Sequence, residues 1–260
     1  MHAPANGGTF NGRVTAEILP VRLLGATAYA ILDERITLVD AGLPGSASLL
    51  RRALVRRGRA VEDVATIVVT HAHPDHIGGV ASLARASGAE IRMHPAEVAR
   101  FRGWHGRWSS PGALAGMLLR RPAAIRALED GEELPVLGGL RVLHTPGHTP
   151  GSVCLFAPAR RSLFVGDAFW EHAGRLYPPD RWWSDDLRLA RDSAERLARL
   201  DFDTMLFGHL PPLHGARAAL ADLLSRWPSR AGAGSTGPGT MRTAGPRANR
   251  EAPGDPPDAG

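Results

Sequence analysis

Three histidines and an aspartate lie within the six-residue segment HAHPDH, which starts at His71. Side chains alternate along an extended chain, so His71 and His73 are expected to point in the same direction. Pro74 disfavours a helical conformation at His73, and the turn that follows lets Asp75 and His76 approach from a second side. Imidazole and carboxylate together suit zinc, iron or manganese. The alternative is a histidine-rich surface loop, but four ligand-type residues directly after an apolar strand favour a metal site.

One cluster rarely completes a metal site, so further ligands are expected at the ends of other strands. The segments TPGHTPG, FVGD and FGH each place a ligand-type residue after an apolar run and a glycine, namely His148, Asp167 and His209. Taken singly, each of these would be an ordinary turn residue. Their shared context indicates that they belong to the same site.

The elements that must position these residues alternate along the chain. Strand patterns near the N-terminus are followed by helical periodicity, and the same order returns after Leu140. This order predicts an α+β fold in which two mixed β-sheets pack together with helices on both outer faces. The amphipathic stretch 184–200 is predicted as a helix with Ser184 as N-cap and acidic residues in its first turn.

Composition divides the chain into a predicted catalytic domain, residues 1–228, and a tail, residues 229–260. The tail is rich in Gly, Pro, Ala and Arg without periodicity, and is predicted to be disordered. Within the domain, residues 99–132 are predicted to form a helical insertion near the active site.

Bulk properties narrow the class of protein. The chain has 260 residues, one cysteine and a formal net charge of +5. No membrane span, secretory signal or disulfide framework is apparent, so a cytoplasmic protein is predicted. All the Lys+Arg residues are arginines, and in stretches such as RLARDSAERLARL they alternate with acidic residues, a pattern typical of solvated helix faces, so nucleic-acid binding is not expected. A small-molecule substrate is the expected partner, and the oligomeric state is left open.

The motifs THAHPDH, TPGHTPG, FVGD and FGH, in this order, resemble those of the metallo-β-lactamase-fold hydrolase superfamily. The resemblance extends from the N-terminal strands to about Trp227 and implies an αββα sandwich with two metal ions at one edge of the sheets. It implies that Asp167 bridges the ions and that LVDAG supplies a supporting aspartate, Asp40, although an ordinary turn explains Asp40 equally well. The implied ligands are His71, His73 and His148 for the first ion, and Asp75, His76 and His209 for the second.

This ligand set suggests catalysis, because structural zinc sites favour closed cysteine-rich tetrahedra. A hydroxide held between two metal ions would attack an ester, thioester, lactone or similar bond. Asp75 and Asp167 are the predicted catalytic carboxylates. Two divalent ions are expected, with Zn²⁺ first and Mn²⁺ or Fe²⁺ as alternatives.

Features of individual branches of the superfamily narrow the range of expected substrates. Lactam-hydrolysing members commonly have cysteine at the position of Asp167, and glyoxalase-II-type thioesterases carry a helical domain after the last metal histidine, so neither specificity is expected. Trp170 stands where lactone hydrolases place a tyrosine. Trp170, His172 and Tyr177 are predicted substrate contacts, but tryptophans that anchor loops and an ordinary loop histidine remain open alternatives.

A rival hypothesis comes from sulfur dioxygenases of the same fold, which the sequence also resembles. These use one iron held by two histidines and one carboxylate, which His71, His148 and Asp167 could supply. A nuclease or phosphodiesterase and a binding module without catalysis are the weaker alternatives.

Overall fold

The computed structural model describes residues 16–103 and 125–228. Within these ranges the strands of the first sheet lie in sequence order. The first three strands pair in antiparallel fashion, and from the third strand to the sixth each neighbouring pair is parallel. Its strands are β1 (Glu17–Arg22), β2 (Thr27–Leu32), β3 (Ile36–Val39), β4 (Val64–Val69), β5 (Glu90–Met93) and β6 (Arg126–Ala127).

The second sheet comes from the later part of the described chain. Its strands are β7 (Glu133–Leu134), β8 (Leu140–His144), β9 (Val153–Ala157), β10 (Ser162–Gly166) and, after a separate hairpin of β11 (Trp170–His172) and β12 (Arg175–Tyr177), β13 (Thr204–Phe207). Their spatial order is β13-β10-β9-β8-β7. Only the pair β10–β13 is parallel among the described strands of this sheet.

Some helices belong to the first sheet and others to the second. Those between strands of the first sheet are α1 (Ala47–Val55), α2 (Pro74–Ile77), α3 (Val80–Ser87) and α4 (Pro95–Gly103). Those associated with the second sheet are α5 (Leu187–Leu197) and α6 (Ala216–Arg226). No helix among the described residues is long and apolar enough to span a bilayer.

Alternating side chains build three apolar layers. In β4, Ile67 belongs to the cluster that α1 and α3 cover, whereas Val68 joins the cluster between the two sheets. In β10, Phe164 faces the central cluster, whereas Leu163 packs with α5 and α6. The ring of Tyr29 meets Phe164 edge-on at 5.4 Å within the central layer. This is the predicted arrangement of two sheets between helices.

Strand direction explains where the site forms. β3 and β4 run parallel in the first sheet, while β8, β10 and β13 share one direction in the second. At this edge the sheets are joined by backbone hydrogen bonds from Val153 N to Thr70 O (3.0 Å) and from Thr27 N to Gly208 O (2.6 Å). The residues that follow these strands therefore lie together at a single edge.

Two local predictions need correction. Helix α5 begins after Asp186, whose carboxylate accepts hydrogen bonds from the N–H groups of Arg188 and Leu189, so Asp186 rather than Ser184 is the N-cap. The predicted helical insertion 99–132 is helical at its described N-terminal end, where α4 continues to Gly103, but not at its C-terminal end, where Arg126–Ala127 is a strand paired with β5.

The rest of that insertion, 104–124, lies outside the described residues. The tail 229–260 lies outside them as well, so the domain boundary at residue 228 and the disorder of the tail stay predictions.

Candidate metal centre

The first ligand group consists of His71, His73 and His148 and is called the three-imidazole group below. His71 Nε2 lies 3.1 Å from His73 Nδ1 and 3.2 Å from His148 Nε2, and the third distance, His73 Nδ1 to His148 Nε2, is 3.0 Å. Nitrogens bound at 2.0–2.1 Å to one tetrahedral zinc ion are about 3.3 Å apart. The three nitrogens therefore have nearly the spacing that one shared metal ion requires.

The second group, Asp75, His76 and His209, is called the mixed group because it includes a carboxylate. His76 Nε2 lies 3.4 Å from His209 Nε2, and Asp75 Oδ2 lies 3.3 Å from His209 Nε2. As in the first group, the candidate ligand atoms all lie within 4.8 Å of one another. This geometry provides room for a second cation with oxygen and nitrogen ligands.

Asp167 lies between the two groups. Its Oδ2 is 3.1 Å from His209 Nε2 and 3.8 Å from both His71 Nε2 and His148 Nε2. Its Oδ1 is 3.4 Å from His76 Nε2, is buried, and has no hydrogen-bond partner within the described part of the chain. A buried carboxylate oxygen without a hydrogen bond is costly. A cation on that oxygen would remove the cost, so the donor set fits a pair of divalent ions that share Asp167.

Hydrogen bonds behind the rings determine which nitrogen faces the centre. The Thr70 hydroxyl donates to Asp40 Oδ2 (2.8 Å) and is therefore free to accept from His71 Nδ1 (3.1 Å). His76 Nδ1 lies 2.8 Å from Asp40 Oδ2 and donates to it. In the neutral form of both rings the proton is on Nδ1, so the lone pair on Nε2 points towards the candidate metal positions.

Ser184 determines in the same way which ring nitrogen of His148 faces the centre. Its hydroxyl donates to the carbonyl of Asp180 at 2.6 Å and is left to accept from His148 Nδ1 at 3.2 Å. Sequence reasoning treated Ser184 as a helix cap and did not consider Thr70. Thr70 could have been found from its position next to His71, whereas Ser184 is brought to His148 by tertiary folding alone.

The electrostatics of the two groups differ. Burial lowers the pKa of His71 well below its usual value and lowers the pKa of His73 and His148 to about 4. Burial alone would also lower the pKa of His76, but the carboxylates of Asp167 and Asp40 raise it well above its usual value. The three-imidazole group is thus neutral near pH 7, as metal ligands must be, while the mixed group attracts positive charge.

Glycines before two candidate ligands permit close packing. Gly166 has φ of +51°, and a Cβ there would lie 2.8 Å from Thr70 Oγ1. A Cβ on Gly208 would lie 2.6 Å from Asp167 Oδ1 and from His76 Cε1. The glycines in FVGD and FGH are therefore required by contacts between the two sheets.

The predicted substrate contacts lie on the β11–β12 hairpin. The ring of Trp170 is 48% exposed and lies 6.4 Å from the ring of His209. His172 pairs with Arg175 beside the two-residue turn, whereas the ring of Tyr177 lies 5.3 Å from the guanidinium of Arg226. Among these three residues, only Trp170 has a described ring contact with a candidate metal ligand.

A family model described as the metallo-beta-lactamase superfamily matches residues 21–209. A probable metallo-hydrolase of Bacillus subtilis (strain 168), YflN, is 27% identical over 214 residues, covering 73% of this chain and 81% of the relative. A hydroxyacylglutathione hydrolase of Anaeromyxobacter dehalogenans (strain 2CP-C) is 39% identical over 166 residues, covering 63% of this chain and 52% of the relative. The chain thus spans about half the length of that relative.

Solved structures agree in fold. The metallo-beta-lactamase family protein TTHA1429 of Thermus thermophilus has a TM-score of 0.69 and 26% identity, over 81% of this chain and 78% of that one. The protein TTHA1623, solved in a di-iron-bound form, has a TM-score of 0.60 and 28% identity, over 78% of this chain and 97% of that one. The chain belongs to the metallo-beta-lactamase superfamily and is a metallo-hydrolase with the fold of that family.

Proposed function

We propose that the protein is a dinuclear metallo-hydrolase that cleaves an ester, thioester, lactone or similar bond. The observation that carries this proposal is the position of Asp167 between the two ligand groups. Its Oδ1 lies 3.4 Å from His76 Nε2, while its Oδ2 lies 3.1 Å from His209 Nε2 and 3.8 Å from the Nε2 atoms of His71 and His148. The three-imidazole group would hold one ion and the mixed group the other. Zn²⁺ is the proposed ion, since imidazole and carboxylate are suitable ligands for it.

When bound, the two ions would supply a Lewis acid for the substrate oxygen and an activated water as nucleophile. The protein's own residues orient and complete this chemistry. Asp167 lies between the two ligand groups and contacts both. Asp75, with 28% of its side chain exposed, lies at the open side of the mixed group. We assign the carboxylate of Asp75 to take up the proton of the attacking water, through the oxygen that the second ion would leave free.

A thioester is the first substrate to test, because the hydroxyacylglutathione hydrolase is 39% identical over 166 residues. The match covers only 52% of that relative, so recognition of glutathione is not carried over to this chain. The shared chemistry is attack on an activated acyl carbon. This chemistry extends equally to esters and lactones.

Trp170 is the proposed wall of the substrate site. Its exposed indole beside His209 offers an apolar surface next to the mixed group. Replacing Trp170 by Ala should raise KM for an apolar acyl substrate by about 10-fold, with little change in kcat, as expected for lost binding surface. The same test on His172 and Tyr177 decides whether their predicted substrate contacts exist.

Metal content and substrate range test the proposal together. Purified protein should bind two equivalents of metal and hydrolyse at least one member of a panel of esters, thioesters and lactones. Zn²⁺, Mn²⁺ and Fe²⁺ forms should be compared on the same panel. Binding of well under one equivalent after supplementation would defeat the proposal.

Two further arms address the rival hypotheses. Phosphodiesters in the panel test the nuclease alternative, and oxygen uptake with a persulfide tests the dioxygenase. One iron per chain, with oxygen consumption and no hydrolysis, would replace the proposal by a mononuclear oxygenase.

A further inference from the structure

Helix α4 carries a glutamate that hydrolysis by the metal centre does not by itself require. Glu97 has no exposed surface, and its two carboxylate oxygens accept from two distant parts of the backbone. Oε2 accepts from the N–H of Ala72, and Oε1 accepts from the N–H of Gly151, each at 2.8 Å. Both hydrogen bonds are buried, and a buried carboxylate is costly unless such bonds satisfy it.

The two N–H groups belong to the loops that carry the three-imidazole group. Ala72 lies between His71 and His73 in the loop after β4, and Gly151 lies three residues after His148 in the loop after β8. These loops come from different sheets. Glu97 therefore links the two halves of one ligand group through a single rigid carboxylate.

The link is tightly packed. A Cβ placed on Gly151 would lie 2.8 Å from Glu97 Cγ and 2.7 Å from His94 Nδ1. The backbone at Gly151 therefore approaches α4 more closely than a residue with a Cβ could, and its N–H donates to Glu97 Oε1 across this contact. Both described hydrogen bonds of Glu97 go to backbone N–H groups near ligands of the three-imidazole group, whereas Asp75 and His76 of the mixed group lie on α2, beyond Ala72.

We propose that Glu97 is a positioning residue that sets the spacing of His71, His73 and His148, and so determines metal affinity at that group only. This inference rests on the proposed dinuclear centre. Replacement of Glu97 by Gln keeps the size of the side chain but turns one acceptor into a donor that faces a backbone N–H. One hydrogen bond is lost and two donors oppose each other, so the two loops separate.

The test measures metal affinity in single-group backgrounds. His209→Ala leaves the three-imidazole group as the complete site, and His148→Ala leaves the mixed group. Zn²⁺ affinity of the full chain is measured by competition with a chromophoric chelator, with and without Glu97→Gln. We expect about 10–100-fold weaker binding in the His209→Ala background, the usual effect of removing a partner behind metal ligands. In the His148→Ala background we expect less than about 3-fold change.

Controls separate positioning from a general loss of structure. Glu62→Gln removes an exposed glutamate carboxylate and should change neither affinity. Glu97→Asp keeps the two acceptors and should bind Zn²⁺ more tightly than Glu97→Gln in the His209→Ala background. Thermal unfolding of the metal-free variants shows whether each one folds.

The outcomes are distinct. Equal weakening in both backgrounds, no weakening in either, or a metal-free Glu97→Gln protein that does not fold would each overturn the selective role of Glu97. A wild-type protein that binds no metal would instead defeat the proposed dinuclear function.

Discussion

The two ligand groups lie side by side, but they favour opposite charge states. In the three-imidazole group, burial holds the pKa of His73 and His148 at about 4, so these rings are neutral at physiological pH. In the mixed group, carboxylates raise the pKa of His76, and a hydrogen bond with Asp167 raises that of His209. A proton therefore competes with a metal ion at the mixed group but hardly at the other.

The supports behind the groups differ in the same way. His71 and His148 donate to the neutral hydroxyls of Thr70 and Ser184, whereas His76 donates to the carboxylate of Asp40. A carboxylate partner increases the basicity of the ring, which strengthens it both as a metal ligand and as a proton acceptor. The two groups are therefore expected to respond differently to pH. The metal affinity of the three-imidazole group should stay nearly constant, whereas the metal occupancy of the mixed group should depend on pH.

The largest effect on activity is expected from removing Asp167, the carboxylate that both ligand groups share. Asp167→Ala should reduce kcat/KM by about 1,000-fold or more, because it removes a ligand from both groups and with it about 4 kcal/mol of transition-state stabilisation. Steady-state kinetics and metal analysis measure this. Asp201→Ala is the control, since its 63% exposed side chain makes surface ion pairs with Arg161 and Arg217 in the described part of the chain, and such pairs contribute little. Full activity of Asp167→Ala would contradict a shared carboxylate.

The pH dependence of metal binding separates the groups directly. A metal ion must displace the proton of His76, so the affinity of the mixed group should fall by about 10-fold per pH unit as the pH decreases from the raised pKa of His76 towards about 5. The three-imidazole group should hold its ion over that range, because the pKa values of His73 and His148 lie near 4. Metal content after dialysis at each pH measures this. Simultaneous release of both ions would contradict the contrast.

Asp40→Asn should weaken the mixed group by about 10–100-fold. The amide oxygen would keep its hydrogen bond with Thr70 N, which leaves the NH₂ group facing His76 Nδ1. The proton of His76 would then move to Nε2 and block the metal-facing nitrogen. Chelator competition in the His148→Ala background measures the loss. An equal loss in the His209→Ala background would show that Asp40 acts on the whole centre.

The smallest effect is expected for Ser184→Ala. Loss of one neutral hydrogen bond to His148 Nδ1 amounts to about 0.5–1.5 kcal/mol, or a 2–10-fold weaker three-imidazole group. Ser225→Ala, which removes an exposed hydroxyl bonded to Asp222 O, is the matched control. If Ser184→Ala weakened metal binding as much as Asp40→Asn does, the hydroxyl behind His148 would be as important as the carboxylate behind His76.

Local sequence was sufficient to predict the strands that precede the candidate ligands. The apolar runs before His71, Asp167 and His209 are strands, as the pattern predicted. These features depend on periodicity and on residues adjacent in the chain. The hairpin of β11 and β12 was not predicted, since its turn places Ala173, a residue without a strong turn preference, at φ of +53°.

By itself, the sequence determined which residue types follow each strand and hence the class of chemistry available. Only the tertiary structure decided which hydrogen-bond partners lie behind the ligands. Ser184 reaches His148 across 36 positions of the chain, and Glu97 joins loops that are 25 and 54 positions away from it. The physical reason is that a buried polar group must find its partner wherever packing brings one near. Such a partner need not be close in sequence, and no local pattern encodes it.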